Sequence, residues 1–272
     1  MSLTVSNNIF SIQRSLTTAS LQANESMKRM SSGERIITAK DDAAGLAIAT
    51  RMQSRLQGMT VAQRNAGDGL SMAQAADNAL GQTGSILIRM RELATQAANA
   101  TNSDEDRAKL NEEYTQLAAE VTRTLSGADF NGQKILSTNA GAKEFIVGAD
   151  STDVISVTTQ DMTANANITA AVGGDLTTAA NAKTAMDDLA KALDDVSTER
   201  AKYGAIQSRF ETAISGLQSQ SEALASAKGR ITDTDYAAEM ASFQKNQVLT
   251  QAATAMLAQA NQRPAMVLSL LR

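Results

Sequence analysis

The feature that most constrains this chain is a run of positions recurring at alternating steps of three and four: Ala49, Met52, Leu56, Met59, Gln63, Ala66, Leu70, Ala73, Asp77 and Leu80. A strand alternates with period two, so a sheet would scatter these side chains over both faces, whereas an α-helix gathers them into one seam. The pattern continues less strictly to about Ala100. About 55 residues of helix would span ~80 Å at the α-helical rise. Gly58, Gly67, Gly69, Gly81 and Gly84 fall inside it. Each glycine costs about 1 kcal/mol relative to Ala. Tertiary packing must therefore hold this helix, and close approach of a second helix is what the glycines offer in return.

The same spacing recurs on either side. Ile9, Ile12, Leu16, Ala19, Ala23, Ser26 and Met30 form a first seam that stops at Ser31-Ser32-Gly33, and Asp41 or Asp42 is placed to cap the long helix. Ala100 to Asp104 reads as a loop and cap, followed by a third seam through Leu110, Tyr114, Leu117, Val121 and Leu125. Phe130-Asn131-Gly132 signals a turn, and beyond it the period shortens. Residues 144–148 and 154–158 are β-branched and separated by Gly148-Ala149-Asp150-Ser151, which predicts a hairpin near 144–158. The Thr-, Ala- and Asn-rich stretch 159–181 shows no period. Heptads resume from Met186 through Leu189, Leu193, Val196, Tyr203, Phe210, Ile214 and Leu217 to Leu224. Gly229-Arg230-Ile231-Thr232-Asp233 breaks the pattern before a last helix carrying Leu249, Ala253, Met256 and Ala260.

The predicted fold is mostly α, with long helices in a coiled-coil-like bundle and one small β-hairpin region. The near-symmetric order of elements brings the two chain ends together. Two stacked domains follow, each built from both ends: residues 1–44 with 230–272, and a rod-like body over 45–229.

Composition narrows the function. The chain has no Cys, no His, no Trp and a single proline, Pro264, and aromatic residues make up 3% of it. Without His there is no Ser-His-Asp triad and no HExxH zinc motif. The acidic pairs Asp41-Asp42, Glu112-Glu113, Asp187-Asp188 and Asp194-Asp195 fall on helix faces or caps rather than in a cleft, and Gly67-Asp68-Gly69 lies in a helical pattern rather than after a strand. No enzyme and no cofactor is expected. Net charge is −4, with Lys and Arg interspersed among Asp and Glu. No basic stripe is present to displace counterions, so nucleic acid is not an expected partner. No apolar stretch approaches the roughly 20 residues of a membrane helix, and the first residues lack the basic start and apolar run of a cleaved signal peptide.

The terminal helices carry apolar stripes outside the main bundle. Burying a Leu, Ile or Met is worth about 1.5–3 kcal/mol. Two helices facing only each other leave much of each stripe wet, so spacing leaves two readings open: a closed helical bundle with both ends docked, or packing completed against further copies of the chain. Open head-to-tail contacts of that kind generate a helical filament.

Met30-Ser31-Ser32-Gly33-Glu34-Arg35-Ile36 followed by Ala39-Lys40-Asp41-Asp42-Ala43-Ala44-Gly45-Leu46-Ala47-Ile48-Ala49 closely resembles the signature of bacterial flagellins. Further matches follow in family order: Arg64-Asn65-Ala66-Gly67-Asp68-Gly69, Arg91-Glu92-Leu93-Ala94, Phe130-Asn131-Gly132, the stretch from Arg230 to Glu239, and the ending Val267-Leu268-Ser269-Leu270-Leu271-Arg272. The resemblance covers about residues 1–135 and 185–272. Ile9-Phe10-Ser11-Ile12 is bulkier than the usual start, and Arg263 precedes Pro264 where flagellins commonly carry an uncharged residue. The middle is short, as in a flagellin lacking the large outer variable domains.

The resemblance implies a structural subunit that self-assembles into the flagellar filament for motility, secreted unfolded through the flagellar type III apparatus to an extracellular position. Terminal helices would build the inner tube, with Ile9, Ile12, Leu16, Met30, Leu249, Met256, Val267, Leu270 and Leu271 as assembly residues. Implied partners are further copies of the chain, an export chaperone at about 230–272, the filament cap and junction proteins, and the host's flagellin-sensing Toll-like receptor. Receptor recognition maps onto Arg89, Leu93 and Glu113. By spacing alone these are a surface Arg and Glu with a core Leu, although Arg89 and Leu93, four apart, share a helix face. The alternatives are a hook-associated junction protein, which shares tube-forming ends, and a secreted coiled-coil translocator or adhesin.

Overall fold

The computed structural model describes the backbone of residues 2–270 and the side chains of residues 9–262. In chain order the elements are α1 (Ser2–Ser32), α2 (Ala43–Ala97), α3 (Asp104–Gly127), β1 (Asp129–Phe130), β2 (Gln133–Lys134), β3 (Ala142–Ile146), β4 (Val154–Thr158), α4 (Ala166–Val172), α5 (Ala179–Thr232) and α6 (Tyr236–Leu270). The chain divides into two compact units, Met1–Ser54 with Ala223–Arg272, and Arg55–Glu222.

In the unit formed by Arg55–Glu222 the seams are interior. Ala66, Ala73 and Leu80 of α2, Tyr114 and Val121 of α3, and Leu189, Val196, Tyr203 and Phe210 of α5 are buried in one hydrophobic core. The alternate seam positions Leu70, Leu117, Leu193 and Ile214 pack half-buried against it. Of the glycines in α2, Gly69 is the one that α5 requires, and Gly84 and Gly81 make only ordinary contact. A Cβ on Gly69 would lie 2.4 Å from the Phe210 ring, and one on Gly84 3.7 Å from Val196. Arg200 lies over Gly81 while its Nε donates to Asp77 at 2.8 Å. Phe210 also meets Phe145 of the hairpin edge-on, with ring centroids 5.5 Å apart, a favoured aromatic geometry.

The turn from α2 into α3 is held by a buried cation. Arg107 donates to the carbonyl of Ala97, the last residue of α2, to that of Asn99 in the turn beyond it, and to Asp104 at 3.0 Å. The Ala97 carbonyl is an acceptor that a helix end leaves without an intrahelical partner. Ser103 and Asp106 form a capping box that starts α3.

The predicted hairpin is present as β3 antiparallel to β4, with Phe145 opposite Ile155. It lies against α2, where Asn65 Nδ2 donates to the Ile146 carbonyl at 3.0 Å and Arg55 reaches Asp150 at 3.4 Å. The Phe130-Asn131-Gly132 signal proves to be the turn of a second, two-pair hairpin, β1–β2. The stretch that shows no period contains α4, short enough to escape a periodicity argument. It is fastened by Tyr114, whose hydroxyl donates to the Ala171 carbonyl at 2.5 Å, and by Asp195, which accepts from Asn165 and Asn167.

In the other unit, the segments after α1 and before α6 run antiparallel through a bridge between Glu34 and Asp233. Arg35 N donates to the Thr232 carbonyl and Thr234 N to the Gly33 carbonyl. Asp42 caps α2, accepting from Gly45 N at 2.8 Å, while Asp41 accepts from Ile37 N and Thr38 N in the preceding loop. α5 runs on to Thr232, so the break expected at 229–233 falls at its C-terminal edge.

Candidate assembly surface

α1 and α6 pack along one another because each presents a narrow stripe of small residues. Ala19 and Ser26 of α1 and Asn246 of α6 are buried between them. At one end Tyr236 donates its hydroxyl to the Met30 carbonyl at 2.9 Å. Beside it Arg29 holds Glu25 at 2.9 Å and reaches Glu239 at 3.9 Å. Ile9, Ile12, Leu16 and Met30, predicted as assembly residues, are half-buried.

What this pair leaves outside is its chemically telling part. Phe10, Leu21 and Met27 of α1 and Met240, Val248, Leu249 and Met256 of α6 are exposed by 47% to 64%. From Asn246 to Gln262, α6 carries no charged residue on any face. Its polar side chains there, such as Gln251 and Gln259, are uncharged and cost far less to bury than ions. A groove of about 400 Å³, lined by Ile12, Ala19, Leu249, Ala253 and Met256 among others, runs along the pair. Residues 246–262 hold no titratable side chain. The surface can only exclude water against a matching apolar surface.

Of the predicted assembly residues, Leu249 and Met256 lie on this exposed surface, whereas the four from α1 belong partly to the α1–α6 contact. Val267, Leu270 and Leu271 lie outside the described side chains. Phe10, Leu21, Met27, Met240 and Val248 escaped the seam analysis because they fall off its three–four phase. The available signal was an apolar residue on the polar side of a seam.

The second predicted cluster lies in the other unit. Arg89 of α2 and Glu113 of α3 are brought together, with Arg89 Nη2 2.8 Å and Nε 3.1 Å from Glu113 Oε1. Glu92 sits 3.0 Å from Arg89 Nη1. The hydrogen bonds to Glu113 and then to Glu92 hold the guanidinium above its ordinary pKa. All three side chains remain substantially exposed. Leu93 does not join them: it is 1% exposed and sits in the core. The shared face expected of Arg89 and Leu93 is divided by the core boundary, because α2 is packed on this side by its neighbours.

Among the described residues no group of three or more acidic or other metal-ligating side chains is placed to hold a metal ion. No helix among them is long and apolar enough to cross a membrane.

Two family profiles match the sequence, "bacterial flagellin N-terminal helical region" over residues 5–140 and "bacterial flagellin C-terminal helical region" over residues 186–271. The chain is similar to the flagellin of Halalkalibacterium halodurans, at 43% identity over 92% of each chain. It is also similar to the flagellin of Bacillus subtilis, at 39% identity over 92% of this chain and 93% of that one. Among solved structures, Bacillus cereus flagellin superposes with a TM-score of 0.52 at 33% identity, covering 61% of this chain and 94% of that one.

Proposed function

The chain belongs to the bacterial flagellin family and is a self-assembling structural subunit of the flagellar filament, and we propose that its copies join through the outer surface of the α1–α6 pair. The observation that carries this reading is the exposure of Phe10, Leu21, Val248 and Met256 beside the uncharged stretch 246–262. Each such side chain gains about 1.5–3 kcal/mol on full burial, and the α1–α6 contact leaves that gain largely unrealised. In this reading residues 1–44 and 230–272 build the inner tube and residues 45–229 its outer wall.

The same surface would serve the chaperone, cap and junction partners. An export chaperone that covers 230–272 would shield α6 before assembly. Cap and junction proteins would meet the surface where the filament begins and ends. The position is extracellular, reached by type III export. A host Toll-like receptor would read the exposed Arg89–Glu113 pair, with Leu93 setting the position of that pair from beneath.

The test is elongation of short filament seeds, followed by electron microscopy, with the full chain and with residues 45–230. Growth by the full chain alone supports the reading. Equal growth by the truncated chain would sink it. For the receptor, Glu113→Ala is expected to lower signalling in a receptor reporter assay while filaments still form, and unchanged signalling refutes the assignment.

A further inference from the structure

The sequence contains one Asn-Gly pair, Asn131-Gly132. It forms the two-residue turn between β1 and β2, with Asn131 at φ 51° and Gly132 at φ 75°. Both residues are left-handed, the backbone of a type I′ hairpin turn, and Asn131 is the one non-glycine residue with positive φ among the described residues. Both are exposed, and a Cβ built on Gly132 would meet nothing within 4 Å.

We propose that Asn131 is a site of spontaneous deamidation, which converts this turn from neutral to acidic as each copy ages. The backbone nitrogen of Gly132 attacks Cγ of Asn131. A C–N bond forms, the side-chain amide nitrogen leaves as ammonia, and a five-membered succinimide closes. Water then opens either carbonyl of that ring and yields aspartate, or isoaspartate with the chain running through Cβ. No oxidant or further reactant is required. Attack demands that the following residue leave its nitrogen open, which glycine does because it has no side chain. It also demands that Asn131 leave its turn conformation for a moment. The hairpin resists this weakly, since it consists of only the pairs Asp129–Lys134 and Phe130–Gln133, and short two-stranded hairpins are marginal by themselves.

The product matters locally. A new carboxylate stands two residues from Asp129. The isoaspartyl form adds a backbone atom to a two-residue turn, directly before the buried Ile135 and Leu136. No other asparagine in the chain is followed by glycine. Asn139, exposed in the next loop and followed by Ala140, is the internal comparison.

The experiment ages the full-length protein at 37 °C in neutral and in mildly alkaline buffer and maps tryptic peptides by mass spectrometry. Cleavage after Arg123, Lys134 and Lys143 places Asn131 alone in peptide 124–134 and Asn139 alone in peptide 135–143. Peptide 124–134 should gain the mass of amide-to-acid conversion severalfold faster than 135–143. It should also split into two chromatographic forms, one labelled by an isoaspartyl methyltransferase, and react faster in alkali. Gly132→Ala should slow the conversion. Equal rates in the two peptides, a persistent amide at 131, or an unchanged rate in Gly132→Ala would each overturn the assignment.

Discussion

Leu21→Ala tests the assembly surface at a position where folding and association can be measured separately. The substitution deletes three carbons, worth about 2.4 kcal/mol if fully buried at ~0.8 kcal/mol each. Leu21 is 64% exposed in the chain. About two thirds of that value, ~1.5 kcal/mol, is therefore still available to association, and the remaining ~0.9 kcal/mol belongs to the α1–α6 contact. At 1.4 kcal/mol per decade, the critical concentration for elongation should rise about tenfold, with a smaller loss of about 0.9 kcal/mol in the stability of the free chain. Adding Val248→Ala removes two more carbons at 63% exposure, ~1.0 kcal/mol by the same scale. If the two sites act independently, the double variant should need roughly 60-fold more protein to grow. Seeded elongation followed by sedimentation gives the critical concentration, and urea unfolding of the unpolymerised protein supplies the control. Because residues 246–262 carry no charge, the part of the shift due to Val248 should depend little on ionic strength. A critical concentration unchanged by both substitutions, in protein that still folds, would show that these side chains are not buried between copies.

Three further outcomes follow from the body of the protein. Gly69→Ala should destabilise the free chain by about 1–3 kcal/mol through overpacking against Phe210, while Gly204→Ala, where an added Cβ meets nothing within 4 Å, should stabilise it by about 0.5–1 kcal/mol. Urea midpoints that move in the same direction would contradict this. Arg107→Ala should cost about 2–3 kcal/mol, since it strips charged hydrogen bonds from the Ala97 carbonyl that ends α2 and from the Asn99 carbonyl in the turn, and should raise hydrogen exchange first at residues 97–104. Burial pushes the Tyr114 phenol up to about 12. A group whose folded pKa is raised contributes its stability in full below the unfolded value and loses it as pH climbs through the folded one. The Tyr114–Ala171 contact should therefore hold below pH ~10 and fail towards pH ~12. Tyr114→Phe should cost about 1–2 kcal/mol at neutral pH and flatten that alkaline limb of a pH-resolved unfolding curve.

Much of this architecture was legible in one dimension. Three–four spacing at Ala66, Ala73, Leu80, Leu189, Val196 and Phe210 identifies helices, and its interior face, because helical geometry repeats every 3.6 residues whatever surrounds it. The hairpin at 144–158 was equally readable from its change of period. Motifs around Ser31–Ala49 and at the C-terminal end carried the family. What the sequence could not supply was the side of each helix that no neighbour covers. Phe10, Leu21 and Val248 are apolar letters off the seam, and only the packing of α1 on α6 decides that they remain in water. Arg89 and Glu113 illustrate the converse. By spacing they are surface residues of two different helices, and only the fold joins them in an ion pair. The glycines of α2 make the same point: Gly69 and Gly67 are indistinguishable as letters, and only the ring of Phe210 tells which one is required. Local periodicity is a property of the chain's own geometry, so sequence alone determines the helices; burial is a property of what lies opposite, so tertiary structure alone decides which faces are left for another copy.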